Sequence, residues 1–528
     1  MDFEIVIVDG QVIDGTGRPS YRADVGIRAG KIAAVGTLSD YHAGRTINAA
    51  GLVVSPGFID MHTHSELSVL VNPRAESKIR QGVTTEFVDQ CGVSQFPLLL
   101  ERREAIRRAF LATHSADVEW SWTTLDEYEA RLMETGLALN HVPLVGHSTI
   151  RASVIGFDDR PATADEMEAM KRLMRQGMEQ GAFGFSSGLT LSPSMFGSTD
   201  ELIELGRVAG EYGGIYVTHA RSFPGRYWEA MEEAVEIGRQ AGIPVHVAHM
   251  GLHKPYCGRA AELIEVLDKA RRAGQDVTFD VYPYIASSTH FGQLVPAWLQ
   301  AGGVEAMVAR LQDPALRQKA EEEMAPSPSR PWDWEEIMLS YAGPTGPREW
   351  EGMTIAEIGR LTGQTPVSVA LSLIATQANR ARIVIFGRIE EDVKTFMRHP
   401  MGMFGSDGLS LAPYGPTSAG KPHPRSYGTY PRILGQYVRE EKTLPLETAV
   451  YKMTGFPAQR LGLTDRGRIS EGMVADITIF DPTTVIDKAT FMEPHQYPAG
   501  IPYVLVAGQL VIDGGEHTGA LPGRLLRR

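Results

Sequence analysis

The first place where this chain could do chemistry is Asp60-Met61-His62-Thr63-His64. If the segment is a strand, side chains two apart share a face, so His62 and His64 can be offered to one metal ion. An HxH pair is a common accident, and the reading gains from company. His219 closes Tyr216-Val217-Thr218-His219, and His249 closes Val245-His246-Val247-Ala248-His249. Neutral imidazole is a common zinc ligand. Cys91 ends Val88-Asp89-Gln90-Cys91. A thiolate binds zinc strongly and can bridge two ions, although a lone buried cysteine can equally be a small hydrophobe. Asp407 stands in Phe404-Gly405-Ser406-Asp407-Gly408. It is either a turn aspartate or a carboxylate beside the metal, able to take a proton from water and return it to a leaving amine. Zinc brings the pKa of bound water toward about 7 and polarises a carbonyl. The chemistry expected of these six residues is metal-assisted hydrolysis of a C–N bond, with no organic cofactor.

Other candidates divide. His246 lies three residues before His249 and should face the other side of its strand, as a structural residue. Cys257 sits in a loop after Pro255, away from the histidines. His147 ends a strand and either touches substrate or is satisfied within the protein. Arg221 either orients substrate or pairs with an acid.

These residues fall at the ends of a regular alternation. Strands are expected at 57–64, 84–91, 141–147, 183–189, 215–221, 244–250, 277–284 and 400–407, with helical patterns in most gaps. One helix should open at Thr163-Ala164-Asp165-Glu166, a capping box. Eight β/α repeats predict an α/β fold of the TIM (β/α)8 barrel type over 56–464; a doubly wound sheet is the alternative. Hairpin-like strands at 1–55 and 465–528 predict a small β-sandwich built from both ends of the chain, since neither half is stable alone. The stretch 287–398 is too long for a connection. It reads as an insertion or lid, with a helical run from Pro366 to Asn379, a strand at Arg382–Phe386 and a proline-rich run at 326–331.

Composition sets the outer limits. The chain has 528 residues, 43% of them hydrophobic and 22% charged, as in a globular protein of more than one domain. A net charge of −13 argues against a nucleic-acid partner. The two cysteines are too few for a disulfide framework. Neither a signal peptide nor an apolar run of membrane length is visible. A cytoplasmic protein acting on a small molecule is expected, with oligomeric state unreadable.

The residues above resemble the amidohydrolase superfamily and, within it, the N-acyl-D-amino-acid deacylases (D-aminoacylases). The resemblance spans nearly the whole chain. It runs from the segment Pro56 to Ser65, through Asp89 to Ser94, Gly213 to Arg221 and Asp280 to Tyr284, to Gly405 to Gly408, Pro422 to Arg425 and Pro522 to Arg528. It implies zinc held tightly by Cys91, His219 and His249, and a weaker second metal position near His62, His64 and Cys91. It also implies Asp407 as general base. Arg425 would grip the substrate carboxylate, which suits a bidentate guanidinium, and Tyr282 and Ser288 would line the same pocket. Many superfamily members carry a carbamylated lysine on the fourth strand; here Phe183 to Leu189 holds none, and the cysteine substitutes.

Two positions depart from that pattern. The family usually has a lysine two residues after the sixth-strand histidine, where this chain has Gly251; Lys254 follows in a different frame. A family tyrosine after the fourth strand is Leu191. Both family residues serve the carboxylate end of the substrate. Deacylation of N-acyl-D-amino acids is the first expectation. A zinc amidohydrolase for another amide, a cyclic amide, a urea or a carbamate is the second. A catalytically dead scaffold is disfavoured, because all six candidate residues are present.

Overall fold

The computed structural model describes residues 2–111, 117–222, 225–327 and 332–528, and its architecture is mixed α and β. Each expected strand of the alternation is present, trimmed at its ends. Phe58–Asp60, Val83–Phe87 and Asn140–Val142 pair in parallel as one sheet. Val145–Gly146, Gly184–Gly188, Ile215–His219, Val245–Val247, Val277–Val281 and Gly402–Phe404 pair in parallel as another. The segment 140–146 contributes to both. At the opposite edges the Met61 N–H donates to the Phe404 carbonyl at 3.2 Å, and Thr63 bridges to Gly408.

Alternation along these strands divides their side chains between two cores. Ile59, Met61, Val142, Val217 and Met403 share one buried cluster. Their neighbours Phe58, Tyr216 and Phe404 turn the other way and pack with the helices. The helix Ala164–Glu179 begins as its sequence dictates: the Thr163 hydroxyl accepts from the Glu166 amide, and the Glu166 carboxylate accepts from the Thr163 amide. Met170, Leu173, Met174 and Met178 then bury one face at helical spacing.

Strands from the two ends of the chain share a nine-stranded sheet. The seam joins Val53–Pro56 to Ile477–Phe480, antiparallel, with Ile477 opposite Pro56 and Phe480 opposite Val53. One member, His42–Asn48, was not expected. Only Ala43 and Ile47 are less than exposed in it, so there was no apolar alternation to read.

Between Val277–Val281 and Gly402–Phe404, the strands Ala286–His290, Ile337–Tyr341 and Arg382–Phe386 form an antiparallel sheet, with the last in the middle. The Arg382 strand and the helix Pro366–Gln377 fall where the sequence placed them. Phe291, Trp334, Leu371 and Ile383 belong to a buried cluster of their own. Of the proline-rich run at 326–331, residues 328–331 lie outside the described residues. Among the described residues no helix is long and apolar enough to cross a membrane.

Candidate metal centre and substrate pocket

Ligands in α/β folds gather at the carboxyl ends of parallel strands, and the six candidates sit there. His62 and His64 follow Phe58–Asp60, Cys91 follows Val83–Phe87, and His219 is the last residue of its strand. His249 follows Val245–Val247, and Asp407 follows Gly402–Phe404. The chain turns sharply to present three of them. Cys91, His249 and Asp407 adopt φ of 54°, 36° and 49°, a left-handed conformation uncommon outside glycine. Such strain persists where the surroundings over-determine it, often at functional sites.

The six side chains converge. Cys91 Sγ lies 3.4 Å from His62 Nε2, 3.7 Å from His219 Nδ1 and 3.6 Å from His249 Nε2. Asp407 Oδ1 lies 3.3 Å from His64 Nε2 and 3.6 Å from His62 Nε2. Two triads have donor atoms mutually within 4.8 Å: His62, His64 and Cys91, and Cys91, His219 and His249. Cys91 belongs to both. One sulfur among several imidazole nitrogens is a donor set that suits zinc.

Charge in this cluster favours an ionised Cys91 and an ionised Asp407. Burial would raise the Cys91 thiol, but the charge of His62 and hydrogen bonds from His219, His249 and His62 outweigh it and hold the thiol well below its ordinary range. Burial likewise works against ionised Asp407, and the Arg425 guanidinium leads the contacts that keep it ionised. His64 is raised to about 9 against the effect of burial, chiefly through Asp407 and Cys91. Burial lowers His249.

A second layer orients the first, and sequence reasoning missed its main member. Asp280, fully buried, accepts from the His249 backbone N–H at 2.9 Å, and its other oxygen lies 2.9 Å from His246 Nε2 and 3.7 Å from His62 Nδ1. Thr190 Oγ1 lies 2.7 Å from His219 Nε2, which leaves Nδ1 to face Cys91. The available signal for Asp280 was its place two residues before Tyr282, on the same strand face. Gly405 makes room for this layer: a Cβ there would stand 2.7 Å from both Asp280 Oδ1 and His62 Cβ.

A cavity of about 190 Å³ opens over the centre, lined among others by His64, Cys91, His219, His249 and Asp407. Tyr282, Ser288 and Arg425 line it too, as expected. Arg425 opens the helix Arg425–Arg432; its Nη1 lies 2.7 Å from Asp407 Oδ2, and its Nη2 donates to the Ser288 carbonyl at 3.3 Å. The Ser288 hydroxyl is turned away and donates to the Ile383 carbonyl at 3.0 Å. Leu191 lines the cavity as an apolar wall.

The remaining candidates resolve into structural partners. His246 is buried between Thr278 and Asp280. His147 opens a helix and is buried against Ser194 and Glu201. Arg221 pairs with Glu233 at 3.1 Å. Cys257 donates to the Gly387 carbonyl, and Lys254 pairs with Glu336 away from the cavity.

The chain is similar to known proteins along its whole length. Residues 45–512 match the amidohydrolase family. The chain is 36% identical to a D-aminoacylase of Alcaligenes xylosoxydans xylosoxydans, covering 100% of this chain and 98% of that one. The crystal structure of N-acyl-D-glutamate deacylase from Bordetella bronchiseptica, complexed with zinc and a phosphonate mimic of the tetrahedral intermediate, superposes with a TM-score of 0.84 at 32% identity, covering both chains fully. A D-aminoacylase structure described as having a binuclear metal centre superposes with a TM-score of 0.83 at 35% identity, again over both full chains.

Proposed function

The chain belongs to the amidohydrolase family, and from that premise we propose that its strand-end cluster deacylates N-acyl-D-amino acids to a carboxylate and a free D-amino acid. It is a zinc-dependent hydrolase of C–N bonds other than peptide bonds. Cys91, His219 and His249 would hold the tight zinc, and His62 and His64, with Cys91 again, a weaker second metal. Metal bound there supplies a Lewis acid for the amide carbonyl and for water.

The protein's own groups do the rest. Asp407 accepts the proton of the attacking water and delivers it to the leaving nitrogen, so the amine departs neutral. Arg425 holds the substrate carboxylate beside Tyr282, which places the amide over the metal ligands. Thr190 and Asp280 fix the imidazoles. The observation that carries this reading is the Asp407 carboxylate, set between the histidines and Arg425.

The eight parallel strands form a (β/α)8 barrel over 56–464 in this reading. Support comes from Ile59 and Val217, which share one interior cluster although they lie in different sheets, and from the bond between Met61 and Phe404. The segments 1–55 and 465–528 form the β-sandwich, and 287–398 is an insertion whose residues reach the pocket. The chain works in the cytoplasm, where Cys91 stays reduced.

The test is amine release from N-acetyl-D-leucine, its L enantiomer and its carboxamide, with added zinc. Turnover of the D acid is expected. Turnover of the carboxamide alone would shift the function to a different amide.

A further inference from the structure

Gly251 follows His249 by two residues and lines the cavity. A Cβ at this position would stand 2.5 Å from the guanidinium carbon of Arg388, 2.6 Å from its Nη1 and 2.9 Å from its Nη2. Gly251 is not in the left-handed region, so its backbone does not demand glycine. The position where a side chain would begin is instead filled by the guanidinium of a residue 137 places further along, the end of a flexible side chain that a Cβ here would displace.

Arg388 comes from the insertion, two residues after the strand Arg382–Phe386. Its Nε donates to His253 Nε2 at 3.1 Å, which aims the fork. Its guanidinium carbon lies 4.8 Å from the centroid of the Tyr282 ring, and that of Arg425 lies 4.9 Å from the same centroid. Two guanidinium groups thus lie against one aromatic ring, where stacking restrains them and leaves their N–H edges to bind. Among the described residues lining the cavity, Asp407 is the one carboxylate, set against Arg382, Arg388 and Arg425. Arg425 already faces Asp407, whereas Arg388 has no acid partner among the described residues. Bringing like charges together in a partly closed cavity is costly unless an anion joins them.

We propose that Arg388 is a substrate-recognition residue, binding the substrate carboxylate together with Arg425, and that Gly251 is the vacancy that admits it. This rests on the reading that the substrate is a carboxylate-bearing amide. The insertion thereby takes part in specificity, through a charge delivered into the space beside His249.

The test is the ratio of kcat/KM for N-acetyl-D-leucine to that for N-acetyl-D-leucinamide, in the zinc-loaded wild type and in Arg388→Met, Arg388→Lys and Gly251→Ala. Zinc content and Tm are measured for each variant. Arg388→Met is expected to lower the preference for the acid by on the order of 100-fold, mainly through KM, the scale of a lost charged hydrogen bond. Arg388→Lys should recover part of it. Gly251→Ala should lower it without removing any charge, by displacing the guanidinium. A wild type that prefers the acid, with Arg388→Met keeping that preference, overturns this inference and leaves the proposed reaction standing. A wild type with no preference for the acid overturns both.

Discussion

Asp407 and Arg425 form a buried ion pair, with 2.7 Å between Oδ2 and Nη1. The group assigned to move protons therefore touches the group assigned to grip the substrate. Buried polar networks of this kind act as units, so each partner has to be tested by a readout that the other does not share.

Asp407→Asn keeps the shape of the side chain and removes its charge. Zinc content should stay near that of the wild type, while kcat falls by about 1,000-fold, within the range for a lost general base. Turnover close to wild type at full zinc occupancy would remove Asp407 from proton transfer.

Arg425→Ala should raise KM for carboxylate substrates by about 100-fold, as expected for a lost charged hydrogen bond, with little change in metal content. An unchanged KM would place the carboxylate elsewhere in the cavity.

Cys91 is common to both donor triads. Cys91→Ala should therefore lose all tightly held metal on gel filtration, whereas His64→Ala should retain about one zinc per chain, bound by three protein ligands as in catalytic zinc sites. Equal metal content in the two variants would refute the shared-sulfur arrangement.

Asp280 touches His246, His62 and the His249 backbone but none of the cavity. Asp280→Asn should weaken zinc binding by 10- to 100-fold, the usual effect of losing an outer-layer partner. A competition titration with a chelator would measure it, and unaltered affinity would make Asp280 a purely architectural residue.

Glu86 gives a pH signature. It is fully buried, with Lys78 Nζ 3.4 Å and His141 Nε2 3.2 Å away. Burial pushes its carboxyl up, yet the Lys78 charge and the His141 hydrogen bond outweigh this and hold it down at about 2. The folded value lies below the ordinary 4.5, so the ionised group stabilises the fold above that pH. The contribution is lost as pH falls from 4.5 through about 2. In metal-free protein, Glu86→Gln should be less stable by on the order of 3 kcal/mol at neutral pH. The gap measured by urea unfolding should close across that window; a gap independent of pH would contradict the assignment.

Local pattern revealed the candidate metal donors because each ends or closely follows a buried strand, as in Ile215–His219. The cap at Thr163 and the strand at Arg382 were legible for the same reason: their signals lie within a few residues of one another. Asp280 was not, since its partners come from two other segments and a lone aspartate in a strand carries no spacing of its own. Arg388 was hidden more deeply. Its proposed role depends on a missing side chain at Gly251, and the two lie 137 positions apart in the sequence. His147, open in the sequence between substrate contact and a structural role, turns inward to Glu201, because Gly146 is followed directly by a helix.

Ser55 donates to the Thr478 carbonyl across 423 positions of sequence. On a ribosome adding 5–20 residues per second, that interval lasts roughly 20 to 85 s. Throughout it the Val53–Pro56 strand is finished while its neighbour does not yet exist, and an unpaired strand edge invites foreign strands. A stretch translated late thus seals one translated early, and a ribosome that stalls between them leaves a nascent chain with an open, adhesive border for quality-control machinery to find.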